Sequence, residues 1–354
     1  ITNNLSNRNL IINGAMQVAQ RGDATGVTNA YGGCDRYKYY STGATVSLTQ
    51  ATGNTSAGFA KAQRIDVTTA DTSLASSDRS YLTYRIEGQD LQRVKKGTSS
   101  AEQLTMSFWI KSTVTGTYIL ELWDEDNTRT CSKSYTVSSS NTWEKKEITF
   151  PADTTGAWDN DNGESLLILF WLNAGSNYTS GTLNTSWAGQ TNANRAVGQV
   201  NALNSTSNDI YFTGIQLEVG SVATDFEHKR FDDELFACQR YYCELFKRQS
   251  GESQYSFIGL QAYTTQHIFG TLGFFPRKMR SLPTITVVGT LLFSNKSGGN
   301  IYEYNSGTMG NAVTRETVGT HGVGFDTAHF IQGGFACGFT NNDGSDYIKA
   351  DAEL

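Results

Sequence analysis

The stretch QLTMSFWIK, residues 103–111, decides the fold class. Leu104, Met106, Phe108 and Ile110 fall at every second position, with Gln103, Thr105, Ser107, Trp109 and Lys111 between them. Successive side chains of a strand point to opposite faces, so this is a half-buried β-strand. The same reading predicts strands over 44–50, 62–68, 81–87, 142–150, 165–172 and 209–219. TYILELW (117–123), the polar turn DEDNTR (124–129) and TCSKSYTV (130–137) predict a hairpin. Ahead of them all, Asn13-Gly14 is a tight-turn signal, because both residues take positive φ at low cost. Turns separate the strands and helical patterns between them are missing, which points to a sandwich rather than to βαβ units.

Composition agrees with an all-β class. Charged residues make up 18% of the 354, against about 25% in an ordinary globular protein, and Gly, Asn, Ser and Thr fill the space. The 35 Gly and 3 Pro suit short strands joined by turns. A formal net charge of −6 argues against a nucleic-acid groove, since phosphate binding draws on clustered Lys and Arg. No apolar run approaches the roughly 20 residues of a membrane span, so no membrane insertion is expected. The five cysteines are odd in number and show no CxxC spacing, which fits a reduced protein assembled in a cytoplasm. The chain opens at Ile1 rather than Met, consistent with a removed or omitted upstream segment.

One segment departs from strand spacing. In QLEVGSVATDFEHKRFDDELFACQRYY, residues 216–242, the end of a strand runs into a helical pattern. Phe231, Leu235, Cys238, Tyr242 and Leu245 recur at steps of four, three, four and three, the coiled-coil seam period. Asp232, Asp233 and Glu234 in the first turn, with Lys247 and Arg248 in the last, complement the helix dipole. The expectation is a helix of about 17 residues, a rod of roughly 25 Å. Two readings stand: a linker helix lying on its own sheet, or three copies meeting along the stripe on a shared axis. The expected domains are a jelly-roll β-sandwich at 1–228, a linker helix at 229–249 and a smaller β-sandwich at 250–354.

Catalytic and metal motifs are missing. None of the four histidines, His228, His267, His321 and His329, sits in HExxH, and no Cys/His set has zinc spacing. Asp159 to Glu164 begins like a calcium loop, but its Gly comes one place early and position twelve is Phe170. No cofactor and no metal are therefore expected. Sugar binding needs only exposed rings beside Asn, Asp and Gln. Trp158, Tyr178 and Trp187 lie in loop-like polar surroundings and are the candidate glycan-binding residues. Trp109, Trp123, Trp143 and Trp171 sit in strand patterns and are expected to pack. The long polar region 173–208 is too long for a structureless connection and is a candidate seat of specificity.

Taken together, NLIINGAMQVAQRG (9–22), the CDRY segment, QLTMSFWIKS, the 216–242 block, FPRKMRSLPTITV and the terminal ADAEL resemble the C-terminal parts of phage and prophage tail-fibre proteins. Residues 1–228 are also similar in plan to carbohydrate-binding-module jelly rolls. The resemblance implies a virion tail appendage, typically a homotrimer, joined to other tail proteins and assembled in the host cytoplasm. It implies non-catalytic recognition of a host cell-surface glycan. The alternatives are a purely structural appendage or capsid decoration, and a glycan depolymerase.

Overall fold

The computed structural model describes residues 7–245, 247, 255–264, 267–294, 300–308, 317–321, 336–341 and 347–354. The chain divides into two compact units, Ile1–Leu235 and Phe236–Glu353. Both are built of antiparallel sheet, and the first is an all-β jelly-roll sandwich.

The strands of the first unit are β1 (Ala24–Val27), β2 (Asn29–Tyr31), β3 (Lys38–Ser41), β4 (Thr45–Thr52), β5 (Lys61–Thr69), β6 (Arg79–Glu87) and β7 (Leu104–Ser112). They continue as β8 (Gly116–Asp124), β9 (Arg129–Val137), β10 (Glu144–Phe150), β11 (Glu164–Ala174), β12 (Ala188–Gly189) and β13 (Asp209–Val219). Sheet I has the order β1-β4-β5-β13-β7-β10, and sheet II the order β12-β9-β8-β11-β6-β3-β2. The expected hairpin is β8–β9, in register from Gly116 opposite Val137 to Asp124 opposite Arg129.

Alternation places the core as the sequence indicates. Leu104, Met106, Phe108 and Ile110 of β7 all face inward. Between the sheets the Phe108 ring meets Phe170 edge-on at 5.2 Å, and Phe170 meets Phe212 at 5.0 Å. All three rings are fully buried, and such tilted pairs contribute about 0.5–1.5 kcal/mol each beyond area burial. The Asn13-Gly14 turn seats the N-terminal segment against β13. Leu10 N–H donates to the Leu217 carbonyl and Ile215 N–H to the Gly14 carbonyl. A Cβ at Gly14 would lie 2.1 Å from the Ile215 oxygen, so only glycine lets the backbones come this close.

Strand β11 is apolar on both faces. Leu166, Ile168, Phe170 and Leu172 enter the core, while Leu167, Leu169 and Trp171 point away from it into a second cluster with Ile119, Tyr178 and Ala196. The region after β11 is therefore a lid on sheet II. It is anchored where Val200 N–H donates to the Thr117 carbonyl and Ala202 N–H to that of Leu172.

The second unit holds β14 (Tyr242–Leu245), β15 (Tyr255–Thr264), β16 (His267–Phe274), β17 (Thr284–Ser294), β18 (Asn300–Thr308), β19 (Thr317–His321), β20 (Ala336–Asn341) and β21 (Tyr347–Asp351). They form one sheet in the order β14-β21-β17-β20-β15-β16-β19, with β18 on β17. Residues 322–335, with His329, lie outside the described residues.

The helix differs from expectation. It spans Phe231–Cys238, eight residues. Tyr241 N–H turns back to the Cys238 carbonyl, and Tyr242–Leu245 then pairs with β21, Tyr242 opposite Asp351 and Leu245 opposite Ile348. Aromatic residues favour strands, and a partner strand offers Tyr242 and Leu245 burial that a lone helix does not; they are 3% and 8% exposed. No helical face carries Phe231, Leu235, Cys238, Tyr242 and Leu245 together. Phe231 stays 50% exposed. Arg248, expected to close the helix, lies outside the described residues.

A buried charge cluster ties the loops at one edge of the sandwich. The Lys96 ammonium, on a side chain 2% exposed, meets Asp124 Oδ2 at 2.5 Å and Asp153 Oδ2 at 3.2 Å. It also donates to the carbonyls of Thr155 at 2.9 Å and Gly156 at 2.6 Å. Arg129 holds Asp153 through two bonds of 2.8 and 3.0 Å. Burial pushes the Asp153 carboxyl up, but the Arg129 bonds, the Thr155 N–H and the Lys96 charge outweigh it and hold the group below its usual range.

All six tryptophans lie in the first unit, so indole fluorescence follows its unfolding in the intact chain. Lys96→Met leaves two carboxylates without their buried cation and is expected to cost about 3–5 kcal/mol, read as a fall in the urea midpoint. The depressed Asp153 group adds stability that is complete above its unfolded value near about pH 3.9. That contribution is lost as pH falls through the lower folded value. The midpoint difference between wild type and Asp153→Asn is therefore expected to shrink below about pH 4; a difference constant down to acid pH overturns the assignment.

Candidate functional site

Of the three rings singled out as glycan contacts, Trp158 and Tyr178 are buried and Trp187 is half-buried. Trp158, 6% exposed, belongs to the main core. Trp187 is half-buried against the same core and donates its Nε1–H to the Pro151 carbonyl at 2.9 Å. Each ring centroid lies 5.4 Å from the Lys96 ammonium, so the two indoles wall the buried charge cluster. Tyr178, 6% exposed, packs on Trp171 with centroids 5.6 Å apart and serves the lid. Polar flanking residues made these rings look exposed, whereas the apolar outer face of β11 and the cluster around Lys96 bury them.

The 173–208 region has the same explanation. Arg195 forms two bonds of 2.8 and 3.1 Å with Glu121 on β8, both groups buried. Trp171 donates its Nε1–H to the same carboxylate at 2.8 Å. The Arg195 guanidinium also lies 4.6 Å over the Trp123 ring. These contacts hold the region down on the β8, β9 and β11 side of sheet II.

The β3 and β6 side lies outside this cover, and its half-buried residues form the candidate site. On the outward positions Lys38 stands opposite Thr83, and Tyr40 opposite Tyr81. The Tyr40 and Tyr81 rings stack at 5.2 Å with planes 19° apart. Tyr81 in turn meets Trp171 edge-on at 5.4 Å. Arg79 caps the tyrosine pair, donating to the Tyr178 hydroxyl at 2.9 Å and to that of Tyr40 at 3.4 Å, with its guanidinium 5.3 Å over the Tyr40 ring. Burial pushes the Tyr81 hydroxyl up from its usual value, with Arg79 and Arg195 opposing, so the ring is neutral at physiological pH.

Further along the face, Arg85 pairs with Glu164 at 2.6 Å, the side chains 23% and 19% exposed. Burial pushes the Glu164 carboxyl up against the pull of Arg85. On the β6 row, Thr83 Oγ1 and the Nε of Arg79 and Arg85 are buried without a hydrogen-bond partner. The arrangement offers aromatic faces for the apolar side of a sugar ring, with donors and acceptors for its hydroxyls.

Sequence reading missed Tyr40, Tyr81, Arg79 and Arg85. A signal was present, because YLTYRIE places Tyr81, Thr83 and Arg85 on one side of a strand whose other side, Leu82, Tyr84 and Ile86, is core. In the Asp159–Glu164 loop, Asp161 Oδ1 accepts the Gly163 N–H at 2.7 Å, and the Asp159 N–H is taken by Asp126 of the β8–β9 turn at 2.9 Å. Among the described residues no group of three His, Cys, Asp or Glu side chains is placed to hold a metal, and no helix is long and apolar enough to cross a membrane.

No protein-family model and no curated protein matches the chain. Solved structures with a similar fold include the enzymatically active domain of bacteriophage CBA120 tailspike protein 4, at 10% identity and a TM-score of 0.32, over 60% of this chain. The match spans only 21% of that tailspike chain. A CBM4 structure is 13% identical with a TM-score of 0.31, over 58% of this chain and 97% of its own. The family 11 carbohydrate-binding module of the Clostridium thermocellum cellulase Lic26A-Cel5E is 17% identical with a TM-score of 0.29, over 59% of this chain and 98% of its own.

Proposed function

We propose that the chain is a receptor-binding component of a phage tail appendage, and that its first unit holds a host cell-surface glycan without cleaving it. The observation that carries the reading is the partly exposed half of sheet II, where the stacked Tyr40 and Tyr81 rings lie beside Arg79, Arg85 and Glu164. The sequence resemblance of the 216–242 block to tail fibres supports the virion setting. A non-catalytic role is supported by the saturation of Glu121, whose oxygens are taken up by Arg195 and Trp171, which removes it as a partner for Glu164 and leaves Glu125 as the neighbouring acid. Glycosidases work with two such groups.

The appendage is read as a homotrimer that joins other tail proteins and is assembled in the host cytoplasm. Phe231 and Phe236, 50% and 47% exposed, support burial against neighbouring copies in place of the longer stripe. Weak shallow sites repeated three times gain avidity without new contacts. A purely structural appendage is the second reading, favoured by the lid that already covers half of the same sheet face.

Glycan-array screening of the recombinant chain followed by titration separates the two. Tyr81→Ala is expected to weaken the selected glycan about tenfold, the size of a 1.4 kcal/mol loss, while the fluorescence-detected urea transition stays cooperative and leaves the chain folded under assay conditions. Trp158→Ala is expected to act through stability instead, lowering that midpoint. Absence of any array binding supports the structural reading. Light scattering is expected to give the mass of three chains of 38.7 kDa, and a single-chain mass removes the trimer.

A further inference from the structure

The opposite side of the first unit carries a second aromatic surface that the sheet II site does not use. On the outward positions of sheet I, Arg64 of β5 stands opposite Tyr211 of β13, and Tyr211 opposite Lys111 of β7. Trp143 lies one residue before β10, whose Glu144 pairs with Ile110, so it comes beside Lys111 at the end of the same row. The Lys111 ammonium sits 3.9 Å from the Tyr211 ring centroid and 5.5 Å from that of Trp143. The two rings are 6.2 Å apart at 68°. All of these side chains are partly exposed.

The charges along this row are distributed unequally. Arg64 meets Asp66 at 3.0 Å and Asp209 at 3.2 Å. Lys145, the next outward cation on β10, meets Glu147 at 2.7 Å. Lys111 has no carboxylate partner among the described residues and rests on ring faces alone. Cation–π contacts at exposed sites contribute about 0.5–1 kcal/mol, so the rings fix the ammonium without neutralising it. At the far side of Tyr211, the hydroxyl donates to Asp209 Oδ2 at 2.9 Å, which holds the ring in place. A fixed unpaired cation and a flanking, partly exposed indole suit a sugar ring that bears a carboxylate.

We propose that this row is a second glycan site, selective for acidic polysaccharide, in which Lys111 pairs with a uronate carboxylate while the pyranose lies against Trp143. It is independent of the sheet II face, because the residues involved project from the other sheet. An exposed ammonium–carboxylate pair is a weak contact of about 0.2–1 kcal/mol. The site therefore works on repeating acidic chains, and its affinity falls with added salt as screening lengths shorten.

The test titrates the full chain with oligogalacturonate and with its methyl ester, by calorimetry at low and high salt. The acid form is expected to bind, with the ester and the high-salt condition each at least about threefold weaker. Lys111→Gln is expected to lose about threefold, Lys111→Arg to restore binding, and Trp143→Ala to abolish it. Tyr81→Ala is expected to leave this ligand untouched, which separates failure here from failure of the sheet II site. Equal affinity for acid and ester, no binding of the acid form, an inert Lys111→Gln, or loss through Tyr81→Ala would each overturn the proposal.

Discussion

The first unit is organised by a strand that must be buried on both sides. β11 carries Phe170 and its neighbours into the sandwich core and Leu167, Leu169 and Trp171 outward. A sheet with one solvated face reads as alternating apolar and polar residues, whereas near-continuous apolar runs need cover on both faces. The chain supplies that cover itself, in the region directly after β11. Glu121 and Arg195 make the cover specific, because a buried carboxylate accepts only a geometry in which its charge is paired. What remains of the sheet face, on the β3 and β6 side, is partly exposed because the cover ends there.

Strand periodicity was legible, and so was the inner core. The alternation in 103–111 correctly assigned four core residues, and the turn residues of 124–129 correctly placed the β8–β9 hairpin. The short strands Ala24–Val27, Asn29–Tyr31 and Ala188–Gly189 were not legible, because two to four residues carry too little period to separate from loop. Tyr242–Leu245 was misread for a different reason. Its spacing continues a helix locally, but pairing with β21 supplies hydrogen bonds and burial from more than a hundred residues away.

The ring-bearing residues show the limit of reading exposure from neighbours. Trp158, Tyr178 and Trp187 sit among Asn, Ser, Thr and Gly, and still fold inward, since a loop that covers an apolar face buries its own largest side chains. Tyr81, Tyr211 and Trp109 lie in strands and face outward, since half of every strand does. Period assigns a residue to a side of the sheet. It does not say which side the rest of the chain will occupy.

The cage around Lys96 has a bearing on where such a module can operate. Two carboxylate oxygens and two backbone carbonyls converge on one point, an oxygen environment of the kind that hard divalent ions occupy in other proteins. Here the positive centre is tethered to the backbone, so it cannot be washed out by dilution or stripped by a chelator.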